Sequence, residues 1–160
     1  MMLPVVILGA GASSRMGGAD KLMQLVDGRP LIRRQADIAL EARLGPVFVT
    51  LPPGDHPRKA ALQGLDLRIV PVAEAAEGMN ASLRAGLAAL PACDAAMILL
   101  GDLPDLTTDD LKTVAQNFES KSDTLVWRGA SQAGAPGHPV VFSAALFPAL
   151  RALIGDGGGR

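Results

Sequence analysis

Short apolar runs alternate along the chain with stretches whose apolar residues recur at helical spacing. The runs are rich in β-branched residues and end at glycine, proline or polar residues, which predicts buried strands. These predicted strands are Val5–Leu8, Val47–Leu51, Leu67–Val72, Ala95–Leu100, Thr124–Trp127 and Pro139–Phe142. The helical spacing predicts helices over Pro30–Arg43, Pro57–Leu65, the segment holding Leu83, Leu87 and Leu90, Thr107–Phe118 and Ala144–Leu153. The alternation of strands and helices favours an α/β fold with a parallel sheet.

Residues that start or stop helices set the predicted boundaries. Gly45 and Pro46 are expected to end the first long helix. Asn80 or Ser82 is expected to cap the helix that contains Leu83. Ser143 is expected to cap the last helix in the same way.

Composition narrows the classes of protein that remain. The 160 residues predict one domain over 1–160, and an apolar fraction of 49% is enough for one core. The net charge of −1 gives no reason to expect nucleic-acid or membrane binding. No apolar run approaches the ~20 residues of a membrane span, and no charged region precedes the first apolar run. Cys93 is the single cysteine, so neither a disulfide framework nor a cysteine zinc site is expected, and the sequence favours a cytoplasmic protein.

A loop of small residues with two cations follows the first predicted strand. From position 5 to 21 the sequence is V-V-I-L-G-A-G-A-S-S-R-M-G-G-A-D-K. The glycines let the backbone bend, and the other small residues let a ligand approach the backbone amides. Successive amides in such a loop form a concavity that binds anions. Arg15 adds a planar positive fork and Lys21 a point charge, so the loop suits a polyphosphate.

Three known loop patterns compete for this stretch. The dinucleotide-binding pattern G-x-G-x-x-G begins at Gly9 and Gly11, but Ser14 stands where its third glycine belongs. The P-loop spacing G-x-x-x-x-G-K-[ST] does not occur. The nucleotide-transferase pattern L-x-x-G-x-x-x-R-M-G-x-x-K matches from Leu8 to Lys21, with one additional residue before the lysine. That pattern is long and specific, so the sequence favours it over a merely structural turn.

Asp102 is the second feature that carries chemistry. It follows Ala95–Leu100, a wholly apolar run that is predicted to lie at the centre of the sheet. Ligands of open α/β sheets bind at the carboxyl ends of strands. Mg²⁺ is commonly held there by one or two carboxylates and by substrate oxygens. An aspartate that caps the next turn is the alternative, and the neighbouring phosphate loop favours the metal site.

Three further segments combine polar side chains with glycine. Gly78 permits close approach of a ligand, and Ser82 offers a hydroxyl near the start of a helix; an ordinary capped helix is the alternative. His138 precedes a proline and is held extended, as a structural histidine at a strand corner would also be. Asp156 lies among glycines in a stretch that suits a loop around a ligand or, alternatively, a frayed end.

Together these motifs resemble the MobA-like nucleotidyltransferases, and within them the molybdenum cofactor cytidylyltransferase branch. The resemblance spans Val5–Arg160 in the family's order of motifs. The loop L-G-A-G-A-S-S-R-M-G-G-A-D-K resembles the nucleotide loop, G-M-N-A-S-L-R-A-G-L the second nucleotide segment, L-L-G-D-L-P the metal motif, and G-H-P-V-V-F and G-D-G-G-G-R the substrate-side motifs. The resemblance implies a three-layer αβα sandwich with a mostly parallel, Rossmann-like sheet.

The resemblance also implies a role for each matching residue. The implied nucleotide-binding residues are Leu8, Ala10, Gly11, Ala12, Ser13, Arg15, Lys21, Gly78, Met79 and Ser82. The implied catalytic residues are Arg15, Lys21 and Asp102. Asp102 and Asp156 would bind Mg²⁺, and His138 would face the acceptor. The implied reaction moves CMP from CTP to a phosphorylated acceptor, molybdopterin, with a molybdoenzyme or its chaperone as a protein partner.

Two departures from the family pattern bear on this assignment. The guanylyltransferase branch has L-A-G-G and the cytidylyltransferase branch L-A-A-G. Ala10 matches the cytidylyltransferase branch, whereas Gly9 departs from both. Family members continue beyond the motif that ends here at Arg160, so we expect a minimal or C-terminally shortened member.

Other functions remain open at this point. A guanylyltransferase or a sugar-phosphate nucleotidyltransferase would use the same fold, and a catalytically silent nucleotide-binding module is a third view. An NAD-binding oxidoreductase would need an acidic residue about 20 positions after the glycines, at the end of a second strand. Asp27 lies instead in a loop before a predicted helix.

Overall fold

The computed structural model describes residues 3–10, 21–26, 28–54, 57–72, 79–100, 106–116, 126–130 and 136–152. The strands are β1 (Val5–Leu8), β2 (Leu25–Val26), β3 (Arg29–Pro30), β4 (Val47–Leu51), β5 (Arg68–Pro71), β6 (Ala95–Leu100), β7 (Val126–Ala130) and β8 (Pro136–Ser143). The helices are α1 (Leu31–Ala42), α2 (Pro57–Ala60), α3 (Met79–Ala88), α4 (Thr108–Gln116) and α5 (Phe147–Arg151). Two 3-10 turns cover Lys21–Met23 and Ala144–Leu146. Among these helices none is both long and apolar enough to cross a membrane.

A six-stranded sheet forms the middle of the molecule, in the order β5-β4-β1-β6-β8-β7. The first four strands in that order are parallel, whereas β8 runs antiparallel to both β6 and β7. β2 and β3 form a separate antiparallel pair. The predicted mostly parallel α/β sheet is confirmed, and the apolar strands β1 and β6 lie at its centre.

Helices cover both faces of the sheet, as alternate residues of β1 show. Val5 and Ile7 belong to an apolar cluster that includes residues of α1 and α4. Val6 and Leu8 belong to a second cluster that includes residues of α3 and α5. Successive side chains of a strand point to opposite faces, so one strand contributes to two cores. The architecture is therefore the expected three-layer αβα sandwich.

The ends of the helices agree only in part with the sequence signals. α1 ends before the predicted Gly45-Pro46 stop, because Arg43 takes the left-handed conformation (φ 53°) and its N–H bonds to the carbonyl of Leu40. α3 begins at Met79, so the prediction that Asn80 or Ser82 caps it is wrong: both lie inside the helix.

The last predicted helix divides into two pieces. Ser143 caps the first, as expected, because its hydroxyl oxygen accepts a hydrogen bond of 3.3 Å from the Ala145 amide. That piece is the 3-10 turn Ala144–Leu146, and α5 begins anew with Pro148 in its first turn. Proline suits that place because the first helical amides have no intrahelical partner.

Gly86 allows α3 to pack closely on β1. A Cβ atom at position 86 would lie 2.6 Å from Cγ1 of Val6. In an open helix alanine is better than glycine by about 1 kcal/mol. Here we expect Gly86→Ala to lower the free energy of unfolding instead, by about 1–3 kcal/mol, since the added carbon overlaps a packed methyl group.

Urea denaturation of a double-mutant cycle tests this packing. Gly86→Ala should cost less in a Val6→Ala background than in the wild-type chain, because the overlapping methyl group is then gone. An equal cost in both backgrounds would contradict the close contact.

Candidate functional site

The carboxyl ends of β1 and β6 define the candidate site. The two strands are parallel neighbours, and Leu8 pairs with Leu100 at their ends. From β1 the chain continues to β4 and β5 on one side of the sheet, and β6 lies on the other side. Such a reversal of strand order is a topological switch point, where open α/β sheets bind ligands in the crevice between the diverging loops. The segments after Leu8 and Leu100 therefore leave the sheet side by side at this crevice.

The described part of the phosphate loop is its first two residues and its end. Leu8 is buried at the end of β1, and Ala10 packs with Val72 and Ala81. Lys21 begins a 3-10 turn, and the next residue, Leu22, is buried in the core on the α1 side of the sheet. The predicted residues that lie outside the described part of the chain are Gly11, Ala12, Ser13, Arg15, Gly78, Asp102 and Asp156.

Met79 and His138 are placed by their backbones. Met79 is the first residue of α3. His138 lies in β8, two residues before Val140, which pairs with Ile98 of β6. Because β8 is antiparallel to β6, His138 lies toward the carboxyl end of β6, the edge that holds the switch point. His138 and Pro139 also fall within an irregularity of the β7–β8 pairing, a feature that often re-aims side chains near active sites.

A buried polar network holds the root of the phosphate loop. The Gly9 amide donates a hydrogen bond of 3.1 Å to Oγ1 of Thr50 on β4. Thr50 Oγ1 also contacts the hydroxyl of Ser82 on α3 and lies 3.4 Å from the carbonyl oxygen of Ile7. Arg58 of α2 donates a hydrogen bond of 2.7 Å to the Gly9 carbonyl oxygen. Both the amide and the carbonyl of Gly9 are thus held by side chains from neighbouring elements.

Ser82 takes a different place from the one its sequence motif suggests. Only 1% of its surface is exposed, and its hydroxyl is bonded to Thr50. In the described structure it therefore supports Thr50 from inside the protein. Its contact with a nucleotide stays a prediction.

Gly9, which departs from the family pattern, is explained by packing. A Cβ atom at position 9 would lie 2.9 Å from both the Thr50 carbonyl oxygen and Cδ1 of Ile32. Real Cβ atoms essentially never approach backbone oxygen so closely. The glycine thus satisfies a local steric requirement and carries no information about the base of the nucleotide.

A second polar network spans the segment that carries Asp102. Gln35 of α1 is fully buried, and its Nε2 donates a hydrogen bond of 3.1 Å to the carbonyl oxygen of Leu100, the last residue of β6. Its Oε1 accepts one of 3.2 Å from Arg34, whose Nη2 donates one of 2.7 Å to the carbonyl oxygen of Leu106. Residues 101–105 therefore begin and end at backbone groups that are held by α1.

Two features of the described residues lie outside this crevice. Cys93 is half-buried beside the α3–α5 core, and burial raises the pKa of its thiol, which keeps the sulfur neutral. A groove of about 720 Å³ is lined by α2, β5 and the turn between them, and no predicted site residue lines it. Within the described ranges no three His, Cys, Asp or Glu side chains form a group that would hold a metal ion. Both predicted metal ligands lie outside those ranges.

Sequence reasoning missed the polar residues that support the loops. Thr50 is the polar residue in an otherwise apolar strand, V-F-V-T-L, and Gln35 recurs among the apolar positions of α1. Both are signals of buried hydrogen bonds, since a buried polar group is costly without a partner. Arg58 gave no such signal, because it lies in a short segment with other polar residues.

Comparisons with known proteins agree on one family. The family of MobA-like NTP transferase domains matches residues 5–160. A molybdenum cofactor guanylyltransferase from Rhodopseudomonas palustris is 30% identical over 167 residues, covering 96% of this chain and 73% of that protein. A nicotine blue oxidoreductase from Paenarthrobacter nicotinovorans is also 30% identical, over 162 residues, covering 97% of this chain and 78% of that protein.

Solved structures share the fold across almost the whole chain. A nucleotidyl transferase from Methanothermobacter is 26% identical with a TM-score of 0.80, covering 98% of this chain and 77% of its own. The manganese complex of Rv0371C from Mycobacterium tuberculosis is 25% identical with a TM-score of 0.79, covering 99% of this chain and 79% of its own.

Proposed function

We propose that this chain, which belongs to the family of MobA-like NTP transferase domains, transfers a nucleoside monophosphate from a nucleoside triphosphate to a phosphorylated acceptor. One observation supports the proposal most directly. The predicted phosphate loop and the segment of the predicted metal carboxylate follow two paired parallel strands at the switch point of the sheet. A triphosphate in that crevice would meet amides, cations and a carboxylate supplied by adjacent loops.

The proposed reaction requires no nucleophile from the protein. An oxygen of the acceptor's phosphate forms a bond with the α-phosphorus of the triphosphate. The bond from the α-phosphorus to the oxygen that bridges it to the β-phosphate breaks, and pyrophosphate leaves. The chain's own task is to position both substrates and to stabilise negative charge. Arg15 and the amides from Ala10 to Ser13 would hold the β- and γ-phosphates, and Lys21 the α-phosphate.

A divalent cation fits the donor groups that the fold gathers. Mg²⁺ prefers carboxylate and phosphate oxygens, and one or two protein carboxylates are usual when substrate phosphates complete its shell. We propose Asp102 and Asp156 as the protein ligands. When bound, the ion would offset negative charge on the phosphate oxygens. The mycobacterial relative solved with manganese supports a divalent ion in this family.

The choice of base rests on one residue and is opposed by one relative. Ala10 favours CTP, by its resemblance to the cytidylyltransferase branch. The relative from Rhodopseudomonas palustris is a guanylyltransferase, which favours GTP. Gly9 is explained by packing and favours neither. We propose CTP as the donor and a molybdopterin-type acceptor, with a molybdoenzyme or its chaperone downstream, and we keep GTP as the alternative donor.

A second candidate function follows from a different relative. The protein from Paenarthrobacter nicotinovorans is an oxidoreductase, and this chain matches it as well as it matches the guanylyltransferase. An oxidoreductase would bind a nicotinamide dinucleotide at the same crevice. Measurable NAD or NADP binding without any transfer of a nucleotide would support this candidate.

Pyrophosphate release across four nucleotides tests the proposed function. The purified chain is incubated with CTP, GTP, UTP or ATP, with Mg²⁺, and with molybdopterin or a sugar phosphate as the acceptor. We expect release that requires both Mg²⁺ and an acceptor, and that is fastest with CTP and molybdopterin. Preference for GTP would change the base assignment alone. No release with any pair would contradict transferase activity for this chain.

A further inference from the structure

We propose that Arg58 is a positioning residue that orients the first peptide unit of the phosphate loop, an inference that rests on the proposed function. Arg58 lies on α2, and 3% of its surface is exposed. Its Nη1 donates a hydrogen bond of 2.7 Å to the carbonyl oxygen of Gly9, the residue directly after β1. The proposed phosphate donors begin at the next residue, Ala10.

The geometry of the peptide bond gives this contact its consequence. The carbonyl of Gly9 and the amide of Ala10 belong to one planar peptide unit, in which the C=O and the N–H point in opposite directions. Because Arg58 holds the carbonyl, the Ala10 N–H is directed away from the Arg58 guanidinium. The orientation of the first proposed phosphate donor is thus set from α2.

Thr50 fixes the peptide unit on the other side of Gly9. The Gly9 N–H belongs to the preceding unit and is held by Oγ1 of Thr50. The two contacts together restrain both soft dihedral angles of a residue that is otherwise the most flexible in any chain. Thr50 is itself bonded to Ser82 of α3, so the root of the loop is connected to the helix of the second predicted nucleotide segment.

The charge of Arg58 points to a role in binding rather than in turnover. A buried cation is costly unless nearby groups compensate for it, and a bound polyphosphate beyond the Gly9–Ala10 peptide would add favourable charge. A guanidinium on the carbonyl also polarises the peptide unit and makes its N–H a stronger donor. Both effects act on a bound triphosphate in the ground state and in the transition state alike, so they change the affinity for nucleotide.

Two variants of Arg58 and one matched control test this role. Arg58→Met keeps most of the side-chain length and removes the guanidinium, while Arg58→Lys keeps a charge and a donor. Arg33→Met is the control, since Arg33 donates hydrogen bonds of 3.1 and 3.0 Å to the carbonyls of Ala61 and Gln63, outside the phosphate loop. Each variant is titrated with CTP and with GTP, in the presence of Mg²⁺, by calorimetry and is assayed for KM and kcat.

We expect Arg58→Met to raise the dissociation constant and KM for nucleotide about tenfold, with kcat changed less than about threefold. Arg58→Lys should lie between this variant and the wild type, and should carry the test if Arg58→Met does not fold. Arg33→Met should bind nucleotide as the wild type does. Unchanged affinity in both Arg58 variants, or an equal loss in Arg33→Met, would overturn the positioning role. A wild-type chain that binds neither nucleotide would contradict the proposed function itself, and the inference would fall with it.

Discussion

Replacing Lys21 with alanine is expected to lower kcat for nucleotide transfer about 10²- to 10³-fold, the usual effect of removing one electrostatic contact to a transition state. The ammonium group would stabilise charge that develops at the α-phosphate, and water in its place would have to reorient during the reaction. The fold should survive, because the core contact of this turn is made by Leu22 and not by Lys21. Steady-state kinetics with saturating nucleotide and acceptor measure the effect.

Two further lysine variants separate charge from bulk. Lys21→Met keeps the side-chain length without the charge and should be as slow as Lys21→Ala. Lys112→Ala removes an exposed lysine in the middle of α4 and should leave kcat unchanged. Near-normal turnover in Lys21→Met would remove the charge of Lys21 from the mechanism.

The central strands could be predicted from the sequence with their observed bounds. β1, β4 and β6 are continuous apolar runs, because each is covered by helices on both faces, and such runs have clear ends. The outer strands shifted by one to three residues. β5 is a partly exposed edge strand that ends on Pro71, and β7 and β8 pair irregularly, so burial defines their ends less sharply. The antiparallel direction of β8 had no signal in the residues alone.

The candidate site was predictable where chemistry lies in one continuous motif. The loop after β1 and the carboxylate after β6 could be related because parallel strands bring their carboxyl ends to one edge of a sheet. The contacts of Arg58, Thr50 and Gln35 could not, since each joins segments more than 40 residues apart. The predicted cap at Ser82 failed for the same reason: its hydroxyl is engaged by Thr50, far away in sequence.

Asp102→Asn is expected to reduce turnover about 10²- to 10³-fold and to weaken binding of a divalent cation to the enzyme–nucleotide complex. Asparagine keeps the size of the side chain but removes the charge that Mg²⁺ prefers. The backbone at both ends of the segment should stay in place, because Gln35 holds the Leu100 carbonyl and Arg34 holds the Leu106 carbonyl. Electron paramagnetic resonance with Mn²⁺ and CTP measures cation affinity independently of turnover.

Asp109→Asn supplies the matched control for this change. Asp109 is an exposed carboxylate in the first turn of α4, where its charge favours the helix N-terminus by about 0.3–1 kcal/mol. Its substitution should lower stability slightly and leave Mn²⁺ affinity unchanged. If Asp102→Asn behaved in the same way, the carboxylate would serve only to cap the turn after β6. The cation would then need other ligands, and the switch point would hold the triphosphate through the loop after β1 alone.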